Sequence, residues 1–184
     1  AYAEYMTAGD YQAGTELVAS TPNTVMIRTF SKIHGLGGLR LGWAYAPPAI
    51  ADVLNRVRGP FNTSSAAQAA GAAAIQDQAF IDQSVAHNTE CRRWFTDGLR
   101  DLGIRVDESY GNFVLADFGH QDPEPLRLVL KGEGILIRQM GGYGLPHCLR
   151  ISIGTTAEMQ ATLQAIAKHA GALGMIDGAK GAAE

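Results

Sequence analysis

The chain has 184 residues, 46% of them hydrophobic and 18% charged, with a formal net charge of −3. This is apolar matter enough for one ordinary domain, or one with a small second. The basic residues are scattered, paired only as at Arg92-Arg93, which argues against a nucleic-acid partner or an anionic membrane; the most apolar stretch, AAQAAGAAAI at 66–75, is too short and too alanine-rich to span a bilayer.

The chain opens on AYAEYM, inside patterned sequence and without Met, so its N-terminus is expected to be a cut with part of the natural protein missing. TVMIRTF (24–30) is short and β-rich between TPN and a glycine turn, which predicts a buried strand. LGWAYAP (41–47) predicts a second strand, stopped by Pro47-Pro48. A helix is expected from Pro48 to about Gly59, with Ile50, Val53, Leu54 and Val57 at helical spacing. NTSSAAQAAGAAAIQ offers hydroxyl caps and then a small-residue helix suited to close packing.

A longer helix is expected over about 78–102. Its apolar stripe is Cys91, Trp94/Phe95, Leu99 (or Gly98) and Leu102, and Gly103 ends it. Short strands then follow at 104–107, 112–118, 135–138 and 149–154, interleaved with helices at about 123–132 and 156–171. In the last helix Met159, Leu163, Ile166 and Ala170 share a face. The order is α/β to about residue 60, a helical bridge, then a small α+β unit. Trp43 and Trp94 have apolar neighbours and are expected in the core. Cys91 and Cys148 lack a Cys-x-x-Cys pattern and are expected to be free thiols of a cytoplasmic protein.

The chemistry concentrates in TFSKIHGLGGLRLGW (29–43). A lysine ammonium becomes nucleophilic only when desolvation or a neighbouring cation lowers its pKa. Lys32 follows a predicted buried strand, and Arg40 is a positive charge close in sequence. Thr29 and Ser31 supply hydroxyl donors, Arg40 a guanidinium fork for phosphate, and Gly35, Gly37 and Gly38 let backbone come close. That set points to pyridoxal phosphate held as a Schiff base on Lys32. An ordinary turn with an exposed lysine explains a lone Ser-Lys as well. A nucleotide-binding turn is weaker, because the glycine spacing is not G-x-G-x-x-G and a strand follows.

TFSKIHGLGGLRLGWAYA resembles the cofactor-lysine segment of fold-type I pyridoxal-phosphate aminotransferases, nearest the histidinol-phosphate aminotransferases. The resemblance implies that Lys32 is the Schiff-base residue and that Thr29, Ser31 and Arg40 bind the cofactor phosphate. Ala1-Tyr2 matches the second half of the family's Asp-x-Ala-Tyr, which gives Tyr2 the bond to the ring hydroxyl. GILIRQMGGYGLPHCLRISIGT (134–155) resembles the family's C-terminal part, which implies that Arg150 binds the substrate carboxylate and Arg138 helps hold its phosphate. Tyr143 and His147 lie in the loop between, with no role assigned, and Asn112 is expected to satisfy backbone groups at a turn.

The resemblance implies an α/β fold: the C-terminal part of a large, mostly parallel cofactor-binding domain (1–62), a helical bridge (63–102), a small α+β domain (103–171) and a flexible tail (172–184). It implies transamination of imidazole-acetol phosphate with glutamate in histidine biosynthesis, by a homodimer. The 184-residue chain alone is expected to be inactive. Alternatives are an aromatic amino acid aminotransferase, a phosphothreonine decarboxylase, the effector domain of a transcription regulator, or a non-catalytic relative. The five histidines are dispersed, and no metal site is expected.

Overall fold

The computed structural model describes residues 1–176, so the expected tail lies, beyond Ile176, outside the described residues. They divide into two units, Ala1–Val85 and Ala86–Glu184.

In the first unit a 3-10 turn at Ala3–Tyr5 precedes α1 (Thr15–Ser20), a short helix the sequence pattern did not announce. Gly14, at φ 89°, turns the chain into it. β1 (Met26–Thr29) and β2 (Gly42–Tyr45) pair antiparallel, Met26 opposite Tyr45 and Thr29 opposite Gly42. The connection at 30–41 is a glycine turn rather than the helical crossover that a parallel pair needs. Gly42 is required by this pairing, since a Cβ there would lie 2.7 Å from the Arg28 carbonyl oxygen.

Only the first residue of β1 is buried, contrary to the expected buried strand. Met26 is buried and Ile27 is 74% exposed. Trp43 is not core either: it is 42% exposed, with the Arg28 guanidinium 5.8 Å from its ring. A two-stranded ribbon has two faces, and this unit covers only part of them.

α2 (Pro48–Val57) starts at its proline as expected, yet Val53, Leu54 and Val57 on its apolar side are exposed. α3 (Ser65–Ala74) is capped by Ser64, whose hydroxyl accepts from the Ala67 N–H at 3.1 Å. Its small residues do permit close approach. A Cβ on buried Gly71 would lie 2.3 Å from Leu41 Cδ2 and 3.7 Å from the Phe30 ring. Tyr5, Ile33 and Ile81 form a small buried cluster, joined by Tyr2 and Val85.

α4 (Gln78–Asp101) runs across the boundary between the units, and the Asp77 carboxylate accepts from the Phe80 N–H in its first turn. In the second unit its stripe Cys91, Phe95 and Leu99 is buried. Trp94, one residue and about 100° around the helix from Phe95, is 41% exposed, which corrects its placement in the core. Gly98 lies under Leu163, whose Cδ2 would be 2.4 Å from an added Cβ. Gly103, at φ 79°, ends the turn that follows.

The four strands β3 (Arg105–Val106), β4 (Phe113–Asp117), β5 (Arg138–Gln139) and β6 (Cys148–Ser152) form one antiparallel sheet in the order β3-β4-β6-β5. The ladder of β5 is shorter than the expected 135–138. The Ile135 N–H is still committed to the Leu130 carbonyl of α5 (Glu124–Gly132), through a helix end with Gly134 at φ 85°. α6 (Thr156–Ala172) begins with a reciprocal cap, Thr155 with Glu158. Phe95, Leu99, Val114, Leu126, Leu130, Leu149, Met159 and Ile166 form the centre of the core. Among the described residues no helix is long and apolar enough to cross a membrane.

Candidate active site

The lysine segment is built by the turn between β1 and β2. Backbone bonds from Phe30 N–H to the Leu41 carbonyl (3.1 Å), Leu36 N–H to the Phe30 carbonyl (2.9 Å) and Gly35 N–H to the Lys32 carbonyl (2.9 Å) fold it on itself. Gly35 stands at φ 67°, a conformation that an L side chain resists. Ile33 points into the small cluster and anchors the segment from below.

Thr29 and Ser31 come together. The Thr29 hydroxyl donates to the Ser31 hydroxyl at 2.8 Å and accepts the Ser31 N–H at 3.0 Å. Gly37 rests against Ser31, and a Cβ there would be 3.4 Å from the Ser31 carbonyl. Arg40, itself in the left-handed region at φ 53°, donates to the Gly37 carbonyl at 2.7 Å. Gly37 thus accepts from the guanidinium and packs beside Ser31, which is bonded to Thr29.

Lys32 is exposed, so the desolvation that its position after a buried strand suggested is not provided here. Its ammonium lies 5.7 Å from the centroid of the Tyr2 ring. Thirty positions of chain separate these two residues, and among the described residues Lys32 forms no ion pair. His34, two positions on, stacks on Phe30 with centroids 4.8 Å apart, and its Nδ1 is buried without a hydrogen-bond partner.

Sequence reasoning missed the Arg28–Glu4 ion pair, which ties the opening residues to β1. No periodic pattern runs through residues 1–14, so nothing in the sequence signalled it.

The second unit carries a separate constellation. Arg138 on β5 stands directly opposite Arg150 on β6. Opposed residues on an antiparallel pair share a face, where like charges repel. Arg150 spreads over the Phe113 ring at 5.3 Å, and its Nε is buried without a partner. Arg138 donates to the Tyr143 hydroxyl at 2.9 Å and lies 5.3 Å from that ring. Neither arginine forms an ion pair among the described residues. Tyr143, given no role from sequence, is therefore part of this group. Its signal was the glycine-rich loop that returns it to Arg138, with Gly144 at φ 77°. His147 joins Asp117 instead, Nε2 to Oδ1 at 3.8 Å, and the Asn112 carbonyl accepts the Ile153 N–H at 2.8 Å, extending the β4–β6 ladder.

A lysine, two hydroxyls and an arginine on or beside one turn, with Tyr2 brought up to the lysine, suit an anionic aldehyde with a hydroxylated ring. Two facing arginines suit an anionic substrate. Known proteins share both segments. Over 168 residues the chain is 57% identical to a histidinol-phosphate aminotransferase of Rhodospirillum centenum, covering 90% of this chain and 46% of that protein. A relative of the same name from Paracoccus denitrificans is 46% identical, covering 92% of this chain and 46% of its own length. The histidinol-phosphate aminotransferase of Sinorhizobium meliloti, solved in complex with pyridoxal-5'-phosphate, superposes with a TM-score of 0.85 at 30% identity, covering 94% of this chain and 48% of that one. The chain thus spans about half the length of the relatives it matches. With residues 1–166 matching the family model for aminotransferase class I and II, the chain belongs to that family.

Proposed function

We propose that the protein is a pyridoxal-phosphate-dependent aminotransferase acting on histidinol phosphate and glutamate. The observation that carries this is the meeting of Lys32 with Tyr2, beside a turn whose hydroxyls and guanidinium suit a phosphate. The cofactor, when bound, supplies an electron sink that stabilises negative charge at the substrate Cα.

The residues present fit that group. The Thr29 and Ser31 hydroxyls and the Arg40 guanidinium would hold its phosphate, and Tyr2 would donate to its ring hydroxyl. Lys32 Nζ would hold the cofactor, and its amine, when free, would serve as the general base toward the substrate Cα proton. Arg150 takes the substrate carboxylate through its guanidinium. Arg138, held by Tyr143, helps receive the substrate phosphate. A guanidinium fork matches a carboxylate or a phosphate, so the arginine pair of the second unit suits both glutamate and histidinol phosphate. The working protein is a homodimer in the cytoplasm.

Borohydride reduction of the cofactor-loaded protein, followed by peptide mapping, is expected to label Lys32 and to label nothing in Lys32→Ala. A label on Lys131 or Lys168 overturns the assignment. Relative rates with imidazole-acetol phosphate and phenylpyruvate decide the substrate. Preference for phenylpyruvate replaces the proposal with an aromatic aminotransferase, and carbon dioxide release from phosphothreonine replaces it with a decarboxylase.

A further inference from the structure

Away from the arginine pair, the sheet of the second unit assembles a group of metal-binding character. Asp117 and Cys148 are direct partners across β4 and β6, so their side chains leave the same face. His147 lies before β6, in the turn closed by the Cys148 N–H on the Leu145 carbonyl (3.1 Å). It therefore escapes the strict alternation of a strand, which would send neighbouring side chains to opposite faces. One ligating atom each from Asp117, His147 and Cys148 lies within 4.8 Å of the other two.

We propose that Asp117, His147 and Cys148 form a binding site for a thiophilic divalent cation of the zinc class, with water completing the coordination. Thiolate, imidazole and carboxylate are the three ligand types zinc combines. Bonds of about 2.0–2.3 Å in a tetrahedron put ligand atoms roughly 3.3–3.8 Å apart. The His147–Asp117 separation of 3.8 Å meets this. It is also too long for a hydrogen bond, so the two groups do not satisfy each other. The His147 side chain is only half-buried.

The carboxylate is already oriented. Arg105 holds Oδ2 through its Nε at 2.8 Å, and the Gly119 N–H donates to Oδ1 at 2.8 Å, leaving Oδ1 a second lone pair toward His147. Hydrogen-bonded carboxylates of this kind are the usual supports of metal ligands. A cavity of about 300 Å³, bordered by Arg105, Asp117 and Gly119, opens beside the group. The Arg105 charge, bonded to Oδ2, opposes a cation and leaves it Oδ1 as the carboxylate ligand.

The probe is Co²⁺, titrated into the full chain after removal of metals. One cobalt per chain is expected, with a thiolate-to-cobalt charge-transfer band and tetrahedral visible bands, all displaced by Zn²⁺. Cys148→Ser removes the charge-transfer band. His147→Asn, in a turn where the fold does not depend on the ring, weakens binding at least about tenfold. Absence of the charge-transfer band in the parent chain overturns the site. So does a His147→Asn protein that binds cobalt as the parent does, whether or not Cys148→Ser folds.

Discussion

The two units carry chemistry and packing in opposite proportions. The first holds the lysine, its hydroxyl neighbours and Arg40, yet its buried cluster consists of Tyr5, Ile33 and Ile81. Ile27, Val57 and Phe61 are 74%, 72% and 97% exposed. The second closes an antiparallel sheet and three helices around a continuous core, and places its arginine pair on that support. A site on a thinly packed turn depends on local devices: a left-handed residue, a glycine under a carbonyl, a cap. A site on a sheet inherits its geometry from strand register.

The largest effect should come from the second unit's core. Phe95→Ala is expected to cost about 3–5 kcal/mol by denaturant unfolding, while Ile27→Ala and Val57→Ala stay within about 0.5 kcal/mol. Equal losses would erase the contrast. Next is Gly42→Ala. Its methyl meets the backbone oxygen of Arg28, and the expected cost is about 1–3 kcal/mol, with faster amide exchange confined to β1 and β2. Exchange that quickened equally in β4 and β6 would show the units to be one cooperative body.

Ser64→Ala, which removes the cap of α3, should cost about 1 kcal/mol; Ser65→Ala, just inside the helix and exposed, is its control.

The smallest effect is one of pH. Burial pushes the Asp117 carboxyl up, but the Gly119 N–H and the Arg105 guanidinium together outweigh it and hold the group below the ordinary carboxylate range. The folded state then binds fewer protons than the unfolded one between those two pKa values. Stability from this group is therefore complete above the ordinary carboxylate range and is lost as pH falls through the folded pKa. Asp117→Asn should flatten that part of the acid unfolding curve, and an unchanged curve would remove Asp117 from the account.

Much of this was legible in the residues. The periodicity of α4, α5 and α6, the proline start of α2 and the strand at Phe113–Asp117 follow from local pattern. So did the lysine turn, because Thr-x-Ser-Lys and the glycines that follow it act within fifteen residues. Burial was less legible. Trp43 and Trp94 sit among apolar neighbours in sequence and are nevertheless 42% and 41% exposed. Hydrophobicity says what a residue prefers, whereas the layer above it decides what it receives.

By itself the sequence determined the family, the helices from Pro48 onward and the list of groups able to do chemistry, since these depend on residues near one another in the chain. Only tertiary structure decided which distant groups meet: Tyr2 with Lys32, Arg138 with Arg150, and Asp117 with His147 and Cys148. The physical reason is strand register and turn closure. A shift of one residue along β6 would send Cys148 and Arg150 to the other face of the sheet; the alternation of Leu149 and Ile151 with Arg150 and Ser152 selects the face, but only the pairing with β4 and β5 sets which residues stand opposite.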